Sequence, residues 1–156
     1  MEINDEIEDV ETEDFDENTE KRRTEYNRII KLYIQSMEQD GLAKLTISRH
    51  CECLDLFLNE YLAYEHEITV QDAVQYASEY FGYTFIRDFA QSADSIKTHA
   101  ASIKRFYKWL LGQGLVTKEG YAGFCRDIGD SNIRKWKKDF EQYYDLTKPD
   151  PFMEDF

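Results

Sequence analysis

Apolar residues in this chain recur at three- and four-residue steps, the spacing of one face of an α-helix, and show no convincing period-two alternation. Between residues 21 and 40 the set is Tyr26, Ile29, Ile30, Tyr33 and Met37, and Gly41 supplies a C-terminal stop. A second helix is expected from near Thr46 to about Tyr64. A third should start after Thr69, whose hydroxyl can cap the run VQDAVQYASEYF, with Gln71 and Asp72 in the first turn. It is expected to end near Gly82, unless YTFIRDF extends it or forms a short piece of its own. The fourth has the clearest pattern: Asp94 or Ser95 caps IKTHAASIKRFYKWLL, and Gly112 and Gly114 close it. Residues 117–128 are ambiguous, with room for one short turn of helix. Asp130 or Ser131 then caps a last helix, NIRKWKKDFEQYY, and residues 146–156 form a flexible acidic, aromatic tail. The expected fold is all-α, without internal repeats.

Composition agrees with a single helical domain. A chain of 156 residues with 42% hydrophobic content can bury a core without disulfide staples. Two prolines and seven glycines are too few for the turns of a sandwich or barrel. The opening MEINDEIEDV lacks the basic and apolar regions of a signal peptide, and no apolar run reaches the ~18 residues of a membrane span. Three cysteines, an odd number, then point to free thiols in a reducing cytoplasm.

Charge changes the picture more. The net charge of −13 argues at first against nucleic acid, but eleven of the 32 acids fall in residues 1–20, where there is no base. The remainder carries 21 acids against 19 bases and is nearly neutral. Residues 1–20 are therefore expected to be a solvated, disordered acidic tail.

The stretch RHCEC at positions 49–53 raises the question of a metal or redox site. On a helix at about 100° per residue, Ile47, Cys51, Leu54, Leu58, Tyr61 and Leu62 form one stripe, with His50 and Phe57 on its flank. Cys53 falls roughly 160° from that stripe, so the two thiols point apart and cannot hold one ion. His50 and Cys53 supply at most two ligands where zinc needs three or four, and His66, His99 and Cys125 do not come as spaced pairs. No metal or other cofactor is expected, and Cys51 reads as a small core residue.

The fourth helix carries the more informative pattern. Ile96, Ala100, Ile103, Tyr107, Leu110 and Leu111 make its buried stripe, with Phe106 beside it. Lys97, Lys104, Arg105 and Lys108 gather on an adjoining sector around the small Ala101. From Ser95 to Lys118 there is no acid, against five bases. An ordinary solvated face accounts for such a sector; so does an approach to phosphates, in which Ser95 and Thr98 donate hydrogen bonds. Two further basic clusters, Lys21, Arg22, Arg23, Arg28 and Lys31 in the first helix and Arg134, Lys135, Lys137 and Lys138 around Trp136 in the last, read as surface solvation.

Three stretches, LTISRHCECLDLFLNEYL, ITVQDAVQYASEYF and SADSIKTHAASIKRFYKWLLGQGLV, resemble the N-terminal core-binding (SAM-like) domain of the phage integrase/tyrosine recombinase family. The matching positions are Thr46-Ile47, Ile68-Thr69 with Asp72, Ser95-Ile96, and Ile103-Lys104-Arg105-Phe106-Tyr107 ending at Gly114-Leu115-Val116, within residues 24–128. The resemblance implies a SAM-like orthogonal four-helix bundle at residues 21–128, with an additional C-terminal helix at 129–145. It further implies that the second and fourth helices face duplex DNA, with Lys44, Thr46, Arg49, Ser95, Lys97, Thr98, Lys104, Arg105 and Lys108 as contacts. The family's catalytic domain has no counterpart here: few residues follow position 128, and no His-x-x-Arg occurs. Strand cleavage is therefore not expected, because an unassisted tyrosine phenol is a poor nucleophile.

The expectation is a non-catalytic DNA-binding module linked to recombination or integration, binding duplex DNA weakly through its backbone. The acids of residues 1–20 would compete with phosphate for the fourth helix and make binding conditional. The alternative is a protein-interaction module, a recombinase regulator or DNA mimic, with Phe152, Met153 and Phe156 as a docking peptide. Neither reading has a membrane or small-molecule partner.

Overall fold

The computed structural model describes the backbone of residues 2–66 and 68–153, and the side chains of that range from residue 17 onward. Six helices follow one another: α1 (Glu2–Gln39), α2 (residues 44–65), α3 (residues 72–89), α4 (Ala93–Gly112), α5 (Lys118–Asp127) and α6 (Asp130–Tyr143). Among the described residues there is no strand, so the fold is an all-α bundle. None of the described helices is long and apolar enough to cross a membrane. Residues 2–20, expected to be a disordered acidic tail, form the first part of helix α1, and the side chains of residues 1–16 lie outside the described ones. Of residues 17–20, Thr19 is buried against the body.

The α1 stripe is buried as its spacing predicts, with Tyr26, Ile29, Ile30, Tyr33 and Met37 in the core. Gly41 ends the helix with φ +81°. The Leu42 amide reaches back to the Met37 carbonyl and the Gly41 amide to Glu38, so the last carbonyls are satisfied. Gly114, φ +75°, closes α4 with the same pair of bonds, Leu115 to Leu110 and Gly114 to Leu111. Both positions require a left-handed backbone, which glycine takes without a steric penalty.

Helix α2 is the central rod. Leu54, Phe57, Leu58, Tyr61, Leu62 and Ala63 are all buried, wider coverage than one stripe, because neighbours flank it on both sides. Its turns widen to π-type hydrogen bonding over Asp55–Leu62. Cys53, expected to point away from the core, is half-buried against α3 and α4 for the same reason. Burial raises the pKa of both Cys51 and Cys53, which keeps these thiols protonated and unreactive.

Helix α3 is capped by Thr69, whose hydroxyl accepts the Asp72 amide at 3.3 Å. It opens with 3₁₀ geometry over Asp72–Tyr76 and runs on to Phe89, so YTFIRDF extends it. Gly82 does not stop this helix; it admits the Trp136 indole of α6, which stacks on Phe81 with ring centroids 5.8 Å apart. Helix α4 is capped three residues earlier than Ser95 suggests. Ser92 accepts the Ser95 amide at 3.2 Å, and the Ser95 hydroxyl reaches back to the Ser92 amide. The ambiguous residues 117–128 form a ten-residue helix, α5, capped by Thr117 and anchored by Phe124 against Tyr107. Helix α6 begins at Asp130 with Gly129, not Asp130 or Ser131, in the cap position.

Buried hydroxyls tie the helices to the α2–α3 connection. Tyr26 of α1 donates to the Ile68 carbonyl at 2.7 Å, and Tyr107 of α4 to Val70 at 2.9 Å. At the C-terminus, Phe152 packs edge-on to Tyr83 of α3 and beside Tyr143 of α6. Within the expected tail, Phe152 is therefore occupied by the chain's own aromatics and Met153 is exposed, while Phe156 lies outside the described residues.

Candidate nucleic-acid interface

Helix α4 packs against α2, α3, α5 and α6, and its Phe106 and Trp109 meet Tyr33 of α1, which leaves one sector of the helix exposed. Lys97, Lys104, Arg105 and Lys108 occupy that sector and are all exposed. At about 100° and 1.5 Å per residue, the three lysines fall within about 40° of one another along a row about 16 Å long. None of the three forms an ion pair with a described residue. Arg105 lies 4.0 Å from Asp40 at the end of α1, with both side chains largely solvated, a contact too screened to hold the guanidinium. Arg105 also lies beside the Tyr33 phenol, whose pKa burial pushes up to about 12 against the lowering influence of that cation.

The first turns of α2 add Lys44, Thr46 and Arg49, all exposed. His50 Nδ1 and Ser102 Oγ, 2.7 Å apart, lock α2 to α4. Burial, then the Arg105 charge, lowers the His50 pKa, so the imidazole bridges the helices in its neutral form. Ser102 is itself buried, so this pair is a structural bridge without a route for substrate. The clamp sets Arg49 across from Ser95 and Thr98 in a groove of about 420 Å³, whose wall also includes Glu52, Phe89 and His99.

The expected contacts thus divide. Arg49, Ser95 and Thr98 meet in one groove, and Lys97, Lys104, Arg105 and Lys108 make a continuous exposed row. Lys44 and Thr46 stand at the start of α2. Two hydroxyls are already engaged: Ser95 donates to the Ser92 carbonyl at 2.6 Å and Thr98 to the Asp94 carbonyl at 3.4 Å. Their value as phosphate donors is reduced accordingly. Asp94, the acid nearest the row in α4, accepts from Lys137 of α6 at 3.3 Å.

His99 faces inward, bonded to the Tyr80 hydroxyl at 2.9 Å, and burial lowers its pKa to about 3. The other basic clusters are partly structural. Arg23 donates to the Asn59 carbonyl and the Tyr64 hydroxyl and stacks over the Tyr64 ring at 4.7 Å. Trp136 is core, leaving Arg134, Lys135 and Lys138 exposed around it. One grouping has no sequence signal: Glu65, His66 and Glu79 come together only because α2 and α3 meet there.

Comparison with protein-family models, with curated proteins and with solved structures found no match to this chain.

Proposed function

We propose that this chain is a non-catalytic DNA-binding module, similar in role to the SAM-like core-binding domain of tyrosine recombinases and acting in DNA recombination or integration. One observation carries the reading. In a chain of net charge −13, Lys97, Lys104 and Lys108 form an exposed row with no carboxylate of the described residues within ion-pair distance. A row about 16 Å long is long enough to reach several phosphates of a duplex at once. Lysine is a point charge on a flexible stem, so such contacts read the backbone and carry little base specificity. Arg105 lies beside the row on the same helix, and Arg49 and Lys44 add exposed positive charge on α2.

A non-catalytic role is supported by the tyrosines. Burial raises the phenol pKa of Tyr33, Tyr61, Tyr80 and Tyr107, the opposite of what a nucleophile needs. The second reading, a protein-interaction module that leaves DNA alone, is favoured by exposed Leu32 and Leu115, which line a groove beside Trp109 between α1 and the end of α4.

Fluorescence anisotropy with random-sequence duplex DNA at two salt concentrations separates the two. Binding that Lys104→Glu/Lys108→Glu abolishes, and that Lys21→Glu/Lys31→Glu only weakens, supports the DNA module. Absence of binding by the full chain and by a chain starting at Glu17 supports the interaction module instead.

A further inference from the structure

The opposite end of α2 from Lys44 carries a different chemistry. Helix α2 stops at Glu65, the backbone turns extended at His66 (φ −138°, ψ 130°), and Glu79 approaches from α3. One ligand atom from each of Glu65, His66 and Glu79 lies within 4.8 Å of the other two. His66 Nε2 is 3.3 Å from Glu79 Oε1 and 3.2 Å from the Tyr61 hydroxyl. Donors bound to a tetrahedral zinc at about 2.1 Å stand about 3.4 Å apart. Nε2 and Oε1 therefore already hold ligand spacing, and the exposed Glu65 side chain has only to rotate inward.

The surroundings fix the donors. The His66 ring lies against Tyr76, with centroids 4.0 Å apart at 34°, and against Tyr61 at 5.3 Å. These two aromatic walls aim Nε2 at Glu79. Tyr61 is fully buried, and its hydroxyl, 3.2 Å from His66 Nε2, is also hydrogen-bonded to Glu79. It can donate to the Glu79 carboxylate, the outer-shell support that ligating carboxylates usually have.

We propose that Glu65, His66 and Glu79 form a binding site for one divalent transition-metal ion of the zinc class, joining the end of α2 to α3. One imidazole nitrogen and two carboxylate oxygens, with water completing a tetrahedron, suit zinc or its neighbours in the Irving–Williams order. Magnesium and calcium prefer six or more oxygen ligands and gain little from the imidazole. The bound ion replaces the direct His66–Glu79 contact with two metal–ligand bonds, and being bound only by the folded chain it raises stability. This site is separate from the lysine row, and neither proposal depends on the other.

The test is calorimetric titration of the full chain with zinc chloride, in excess magnesium to saturate the diffuse acidic residues, alongside thermal unfolding. The expected result is one zinc per chain, a raised melting temperature, and affinity at least about tenfold weaker in His66→Gln, Glu79→Gln and Glu65→Gln. Glu65 is exposed, so Glu65→Gln reports on binding even where the other variants unfold. Cobalt(II) should give a tetrahedral visible absorption band that His66→Gln removes. Failure to saturate above the magnesium background overturns the site. Undiminished zinc affinity in folded Glu65→Gln and His66→Gln assigns the metal to acids elsewhere and overturns it equally.

Discussion

At the scale of single residues, Gly82 and His99 show how a neighbour changes what a residue means. In sequence Gly82 reads as a helix stop; in the fold it is a contact. A Cβ there would sit 2.8 Å from Trp136 Nε1, and that indole is buried and stacked on Phe81. Alanine gains about 1 kcal/mol of helix propensity over glycine, whereas overpacking a closed core costs about 1–3 kcal/mol. The rigid ring has little room to yield, so Gly82→Ala should lower the urea midpoint and Gly82→Ala/Trp136→Phe should recover part of the loss. A more stable Gly82→Ala would show that α6 moves freely on α3. His99 gives a pH dependence. Unfolded, it takes up a proton near pH 6.5; folded, burial delays protonation to about 3. The unfolded chain holds the extra proton across that window, so stability falls as pH drops from about 6.5 towards 3. Between pH 7 and 5 the loss from His99 alone is about 2 kcal/mol, before most carboxylates titrate. His99→Gln, which can still pair with Tyr80, should lose less stability over the same interval in urea titrations.

At the scale of elements, apolar spacing was a reliable guide and termini were not. The stripes of α1 and α4 are buried largely as their periodicity predicts, because a face covered by several neighbours imposes its pattern on many residues. A cap depends on one or two hydrogen bonds, and several nearby serines and aspartates compete for the role. Ser92, Asp94 and Ser95 all qualify at the start of α4, and only the reciprocal Ser92–Ser95 bonds decide between them. Ser92→Ala should therefore destabilise the protein by about 1 kcal/mol while Asp94→Ala costs less, measured by thermal unfolding. Equal losses would mean that the Asp94–Lys137 bridge matters as much as the cap. Helix α5 was illegible because Gly120 and Gly123 lower its propensity, and Phe124 gains its stabilisation only against Tyr107 of another helix. The lysine row was legible because its members share one helix. The Glu65–His66–Glu79 cluster was not, since only tertiary packing brings α3 to the end of α2.

At the scale of the whole molecule, the placement of charge outweighs its total. Eleven of 32 acids lie in residues 1–20, while the lysines of α4 form a positive row without an ion pair to any described residue. A segment so dense in carboxylate is a competitor for any polyanion that approaches that row. Its removal needs a chosen boundary: Thr19 is buried and Glu20 lies 3.8 Å from Arg23, so cutting at residue 20 would disturb the body. A chain starting at Glu17 loses nine acids and keeps those contacts. If the acids occupy Lys97, Lys104 and Lys108 in the intact protein, an arriving phosphate displaces carboxylates and releases few counterions. In the shortened chain each lysine that neutralises a phosphate releases the cation condensed there with no displaced carboxylate to recapture it, which steepens the logarithmic salt slope by about 0.9 per contact. The expected outcome is tighter DNA binding at low salt and a slope steeper by about 2–3, read from anisotropy titrations across salt. The gain should vanish when Lys97, Lys104 and Lys108 are all glutamine, because the competitor then has nothing to leave. A shortened chain that binds with the intact affinity and slope would remove the acids from the mechanism and leave the row acting alone.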